Sequence, residues 1–213
     1  MIDKQNFVEF LVSQDVLKFG TFTLNSGRQS PYFFNLGSVS SGASYARLGA
    51  AYADAALQSG IEFDLIFGPA YKGIPIAVAT SLALAERGVD VGMAYNRKEA
   101  KDHGEGGLLV GAPVTGRVLM LDDVLTSGKA IRGAAELIRA QDAEIAGVVI
   151  ALDRAEVMAE AEQTAVAELA EELGSPVVSI AHVSDVLDYL QRTAAEPEVL
   201  QAMGAYTQQY CAF

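Results

Sequence analysis

Cysteine is nearly missing: Cys211 is the only one in 213 residues. That excludes a disulfide framework and a cysteine-based metal site. Basic residues are scarce too, with 15 Lys and Arg against 27 Asp and Glu and a net charge of −12. Nucleic acid and anionic membranes both need a broad basic surface, so neither is an expected partner. A small phosphorylated ligand needs only a local cluster of positive groups and stays open. Long apolar runs are absent as well. The longest, "GIPIAVATSLALA" from Gly73, is too short to span a bilayer. The start, "MIDKQNFVEF", carries early charge and no apolar signal core, so a cytoplasmic protein is expected. Neither an internal repeat nor a low-complexity linker appears, and residues 1–213 read as a single domain around one core.

What is present alternates. Phe7, Phe10 and Leu11 stand at helical spacing behind a candidate cap at Asp3, with Gly20 beyond the helix end. A second helix runs from a Ser44 cap to Gly60. Then "FDLIF" (63–67), "VGMAY", "RVLMLD", "AGVVIAL" and "PVVSI" read as strands. Between them lie the helices "GIPIAVATSLALAERG", with Pro75 in its first turn, "KAIRGAAELIRAQ" and "AEAEQTAVAELAEELG". Two short helices, "SDVLDYLQR" and "EPEVLQAMGAYTQQY", close the chain. Apolar strands without alternation, separated by helices, predict an α/β fold with a mostly parallel sheet covered on both faces. Ligands of such sheets bind beyond the carboxyl ends of the strands.

Four strands release charged or glycine-rich residues at that edge: "GPAYKG" after Phe67, "NRKEAKDHGEGG" after Tyr95, "DDVLTSGKA" after Leu121, and Asp153-Arg154 after Leu152. Gly128-Lys129 resembles the end of a Walker loop, but Asp123 stands five positions before Gly128, and Ala130 replaces the hydroxyl that would ligate magnesium. The third turn sets a puzzle. A Thr-Ser-Gly turn entering a helix suits an anion, yet Asp122 and Asp123 stand at its mouth. A sugar phosphate reconciles the two. Backbone N–H groups of residues 126–130 take the phosphate; the carboxylates accept from ribose hydroxyls and stabilise positive charge developing on the sugar. The cations of residues 97–103, on a segment rich in glycine, suit a mobile lid over a departing polyanion. Tyr71-Lys72 between Gly68 and Gly73 offers another tight turn with exposed N–H groups.

"VLMLDDVLTSG" resembles the phosphoribosyl-pyrophosphate (PRPP) signature of the type I phosphoribosyltransferases. "SGRQSPYFFN" (26–35), "FDLIFGPAYKGIPIA" and "NRKEAKDHGEGG" resemble the orotate-using branch of that family, over nearly the whole chain and least after residue 155. The resemblance implies that fold, with a small N-terminal hood, and transfer of ribose 5-phosphate from PRPP to orotate, with Mg2+ carried on PRPP and no metal site of the protein's own. It also implies a homodimer whose lids reach the partner's site. Residue by residue it implies Asp122 and Asp123 on the ribose hydroxyls and Val124, Leu125, Thr126, Ser127, Gly128, Lys129 and Ala130 around the 5′-phosphate. Tyr71, Lys72, Arg97, Lys98, Lys101 and His103 would hold pyrophosphate, Lys101 and His103 counting with the two aspartates as catalytic. Phe33, Phe34, Thr126 and Arg154 would hold orotate. One departure stands out: Asn25 occupies the place before "SGR" where the family usually has a lysine.

Other readings remain beside these. Phe33 and Phe34 also suit a core. Arg154 also suits a surface ion pair with Asp153 or Glu156. His182 and Cys211 read as structural or incidental, and Glu160 to Glu172 as a solvated face. A uracil- or purine-using transferase and a PRPP-sensing regulator are the competing functions. A regulator would need a basic face or a DNA-binding segment, and neither is visible.

Overall fold

A computed structural model describes residues 3–24, 27–101, 107–125, 127–157 and 163–212, without the side chains of Ala100 and Lys101. Helix α1 (Lys4–Ser13) starts where Asp3 accepts the N–H of Asn6 at 3.0 Å, and buries Phe7, Val8, Phe10 and Leu11. It stops sooner than its sequence suggests. Asp15 takes a positive φ of 56°, and Gly20 lies inside strand β1 (Leu17–Thr23). β1 pairs antiparallel with β2 (Gln29–Phe34), the two forming a small sheet of their own. Helix α2 (Gly42–Gln58) is capped by Ser41, not Ser44, whose N–H is the donor to that cap at 3.1 Å.

The larger sheet holds β3 (Leu65–Gly68), β4 (Gly92–Lys101), β5 (Gly107–Gly111), β6 (Arg117–Val124), β7 (Glu144–Asp153) and β8 (Val177–His182) in the order β5-β4-β3-β6-β7-β8. Every pairing is parallel except β4 with β5. Helices α3 (Gly73–Glu86), α4 (Lys129–Arg139) and α5 (Ala165–Leu173) connect strands, and α6 (Val183–Arg192) and α7 (Pro197–Tyr210) end the chain.

The strand period of two explains why both faces are covered. On β6, Leu119 and Leu121 pack into a core with Tyr52 and Ala53 of α2 and with Ile76 and Leu84 of α3. Val118 and Met120 pack into a second core with Ile131, Ala134 and Ile138 of α4 and with Leu169 of α5. Each such fully buried large side chain contributes roughly 1.5–3 kcal/mol.

Three details differ from expectation. The basic segment is not a loop: residues 97–101 continue β4, whose Asn96 pairs with Leu109 and Lys101 with Gly107. Helix α5 begins only at Ala165, because Thr164 caps it by accepting the N–H of Ala167 at 3.2 Å; residues 158–162, Glu160 among them, lie outside the described residues. Hairpin β1-β2 and strand β5 had no clear alternation to announce them. His182 is structural, its Nδ1 accepting the N–H of Ser184 at 3.1 Å in a capping box with Asp185.

Candidate active site

The sheet delivers Gly68, Asp122-Asp123 and Arg154 to one edge, at or just past the carboxyl ends of β3, β6 and β7, with Asn96, midway along β4, beside them. The turn after β3 is unusually close-packed. A Cβ on Gly68 would sit 2.3 Å from the carbonyl oxygen of Gly73, and one on Gly73 would sit 2.8 Å from that of Leu121. Only glycine permits both approaches. The Ala70–Tyr71 peptide is cis, and the Ala70 N–H reaches Asn96 Oδ1 at 3.1 Å. Tyr71 is 63% exposed, with Lys98 Nζ 4.7 Å from its ring centre. The basic strand therefore starts against this turn. Arg97 donates to the carbonyl of Gly107 across the hairpin. His103 and the side chain of Lys101 lie outside the described residues.

Asp122 and Asp123 are both buried. Asp122 Oδ1 accepts the Asp123 N–H at 2.9 Å, and its backbone carbonyl accepts the hydroxyl of Tyr52 at 2.7 Å. Burial, then the neighbouring charge of Asp123, push the Asp122 carboxyl up to about 7. Tyr52, wholly buried beneath the pair, is pushed up by burial and by both carboxylates, so it stays a phenol and a donor. Asp123 has a different partner: its Oδ2 lies 2.5 Å from Lys72 Nζ. One carboxylate is thus held by burial and backbone, the other by a cation from the neighbouring turn.

Beyond them, Val124 is half-buried and the side chain of Leu125 enters the α4-side core, which leaves only the backbone of Leu125 available to a ligand. Thr126 lies outside the described residues. Gly128, at φ 64°, caps α4 in the left-handed region with no side-chain partner. This leaves the first N–H groups of α4, from Lys129 and Ala130 onward, facing outward beside Ser127, the electropositive end that favours an anion. Arg132 Nη1 donates to the carbonyl of Ser127 while its Nε lies 2.6 Å from Glu172 Oε2, bracing the turn from behind.

The nucleobase candidates separate. Phe34 is turned into the core; Phe33 is 39% exposed and stacks on Phe22 at 5.5 Å. Adjacent strand residues face opposite ways, so the pair cannot present both rings to one ligand. Arg154 is paired with Glu156, as the ion-pair reading has it, but Arg154 itself is buried and Glu156 half-buried, not on the open surface. Its Nε donates to the hydroxyl of Tyr32 at 3.1 Å. Asp153 instead accepts the N–H of Ala155.

The family model for the phosphoribosyl transferase domain matches residues 39–179. Orotate phosphoribosyltransferase of Stutzerimonas stutzeri is 52% identical over 209 residues, 97% of each chain. That of Vibrio cholerae is 51% identical, again over 97% of each. The chain belongs to the orotate phosphoribosyltransferase family. The crystal structure of the Francisella tularensis member superposes with a TM-score of 0.87 at 36% identity, covering 97% of this chain and all of that one. Tyr52, Tyr32 and Glu156 touch the candidate residues and carry no motif of their own. Only Tyr32 had a sequence signal, its place inside "SPYFFN".

Proposed function

We propose that the chain transfers the 5-phosphoribosyl group of PRPP to orotate, giving orotidine 5′-monophosphate and pyrophosphate in pyrimidine biosynthesis, and that residues 1–213 act as one catalytic domain in the cytoplasm. One observation carries the reading. A carboxylate pair at the end of β6 adjoins the N-terminus of α4, and a buried arginine follows the neighbouring strand. The bond from the anomeric carbon to pyrophosphate breaks with its electron pair leaving on oxygen. A ring nitrogen of orotate forms the new bond, and its proton passes to solvent. The α4 N-terminus and Ser127 to Ala130 hold the 5′-phosphate. Asp122 and Asp123 accept from the ribose hydroxyls and stabilise the cationic sugar.

Lys72 must leave Asp123 as PRPP arrives, exchanging a carboxylate for a phosphate; Tyr71, Arg97, Lys98, Lys101 and His103 complete the pyrophosphate site. Arg154 and Thr126 meet the polar edge of orotate and Phe33 its ring, while Phe34 anchors β2. Magnesium would arrive on PRPP, held by the substrate's own phosphates, and would neutralise the charge of the diphosphate; Asp122 and Asp123 are kept for the ribose hydroxyls. A homodimer is part of the reading. Helix α3 is apolar on its outer side too, where Val78 and Leu82 are 41% and 64% exposed just after Tyr71. We read this exposed apolar stripe as the face against which the second subunit packs. No helix among the described residues is long and apolar enough to cross a membrane.

The test is an orotate absorbance assay with PRPP and magnesium, repeated with uracil, hypoxanthine and adenine. Turnover with orotate alone is expected. Equal turnover with uracil would remove orotate from the proposal.

A further inference from the structure

Arg154 sits in a charge cluster larger than its proposed contact requires. Its guanidinium lies 4.7 Å from the centre of the Tyr32 ring. Its Nη2 is 2.6 Å from Glu156 Oε1, but the N–H is not aimed at that oxygen, so the hold is Coulombic. Glu156 is the hub. Oε1 also accepts the hydroxyl of Tyr206 at 2.6 Å, and Oε2 lies 3.5 Å from Arg28 Nη1. Arg28 in turn lies 4.4 Å from the ring centre of Tyr210. Tyr206 and Tyr210 both belong to α7, and the end of that helix is tied to the same segment. Val157 donates to the Tyr210 carbonyl at 2.9 Å, Ala212 to that of Ala155 at 3.0 Å, and Cys211 Sγ to that of Arg154 at 3.3 Å.

Two guanidiniums flank one carboxylate, so the triad keeps a net positive charge. An Arg154–Glu156 pair alone would be neutral and would offer an anionic base little attraction. Two arginines without the carboxylate would repel each other where water screens them poorly. Tyr206 fixes the carboxylate by donating to it, and Tyr32 fixes Arg154 at its Nε. A guanidinium fork reads a planar acid only when its plane is held.

We infer that Glu156 is the positioning residue for Arg154, and that through Tyr206 helix α7 sets the affinity for orotate. This deepens the proposed orotate reading and rests on it. A positioning role predicts an effect confined to one substrate. Steady-state kinetics on wild type, Arg154→Ala, Glu156→Gln, Glu156→Asp and Tyr206→Phe, each with a thermal melt, provide the test. Glu156→Gln should raise the orotate KM about tenfold and Tyr206→Phe about threefold, with the PRPP KM moving less than about twofold. Glu156→Asp, which keeps the charge, should recover part of the loss. If Glu156→Gln does not fold, Tyr206→Phe carries the test, since it removes one hydroxyl from the same carboxylate. An unchanged orotate KM overturns the inference, as do both KM values rising together with a lowered melting temperature. A wild type inert toward orotate sinks the underlying reading and this inference with it. A wild type that is active and sensitive to Arg154→Ala, but indifferent to Glu156→Gln and Tyr206→Phe, sinks the inference alone.

Discussion

The two halves of the proposed site are built differently. The sugar-phosphate half comes from one continuous stretch, Asp122 to Ala130, where a strand end and a helix start supply carboxylates and N–H groups within nine positions. The base half is assembled from afar: Tyr32 from the hairpin, Arg154 and Glu156 after β7, and Tyr206 from α7. A helix N-terminus binds phosphate with its backbone, so few side chains are specified. A planar acid needs a directed cation, and a buried directed cation needs counter-charges and donors around it.

Substitutions in the two halves should therefore fail in different ways. The largest effect belongs to the sugar-phosphate half. Asp123→Asn should lower turnover by roughly a hundredfold or more with little change in either KM, because its charge acts on the cationic sugar. A normal turnover with a raised KM would move Asp123 out of that role.

Next comes the lid, which the proposed dimer assigns to the opposite subunit. Lys101→Ala and Asp123→Asn chains, each nearly inactive alone, should recover to about a quarter of wild type when randomly mixed, since a mixed dimer keeps one intact site. Tagged chains verify exchange first. Parental activity after verified exchange would mean that each lid serves its own subunit.

The smallest effect is on stability. Asp122 holds its proton in the fold to about pH 7, whereas an unfolded aspartate releases it near about pH 3.9. Between those values the folded state binds more protons than the unfolded one, so stability falls as pH rises through the window. Asp122→Asn preserves the acceptor for the Asp123 N–H and removes the charge. Its melting temperature should match wild type near about pH 4 and exceed it increasingly up to about pH 7, then hold steady. A difference independent of pH would show that Asp122 does not titrate there.

The same contrast explains what the sequence disclosed. Strands such as "RVLMLD" and "AGVVIAL" were legible because both their faces are buried, and the turns after them because glycine and charge cluster at strand ends. The β1-β2 hairpin was not. Its strands expose most of one face and bury Leu17, Tyr32 and Phe34 without a long apolar run. Phe33 and Phe34 read alike as letters and differ only by the pleat that turns one into the core. Glu156 looked like a surface partner because nothing local announces that α7, some fifty residues later, will cover it.

The division between the halves is tested most directly by titrating Arg154→Ala with each substrate in turn. Loss of its contact should weaken apparent orotate affinity by about 2–4 kcal/mol, roughly thirty- to a thousandfold, while PRPP affinity stays within about twofold of wild type. Equal losses for both substrates would contradict the account, making Arg154 a support for the whole site and not its orotate-reading half.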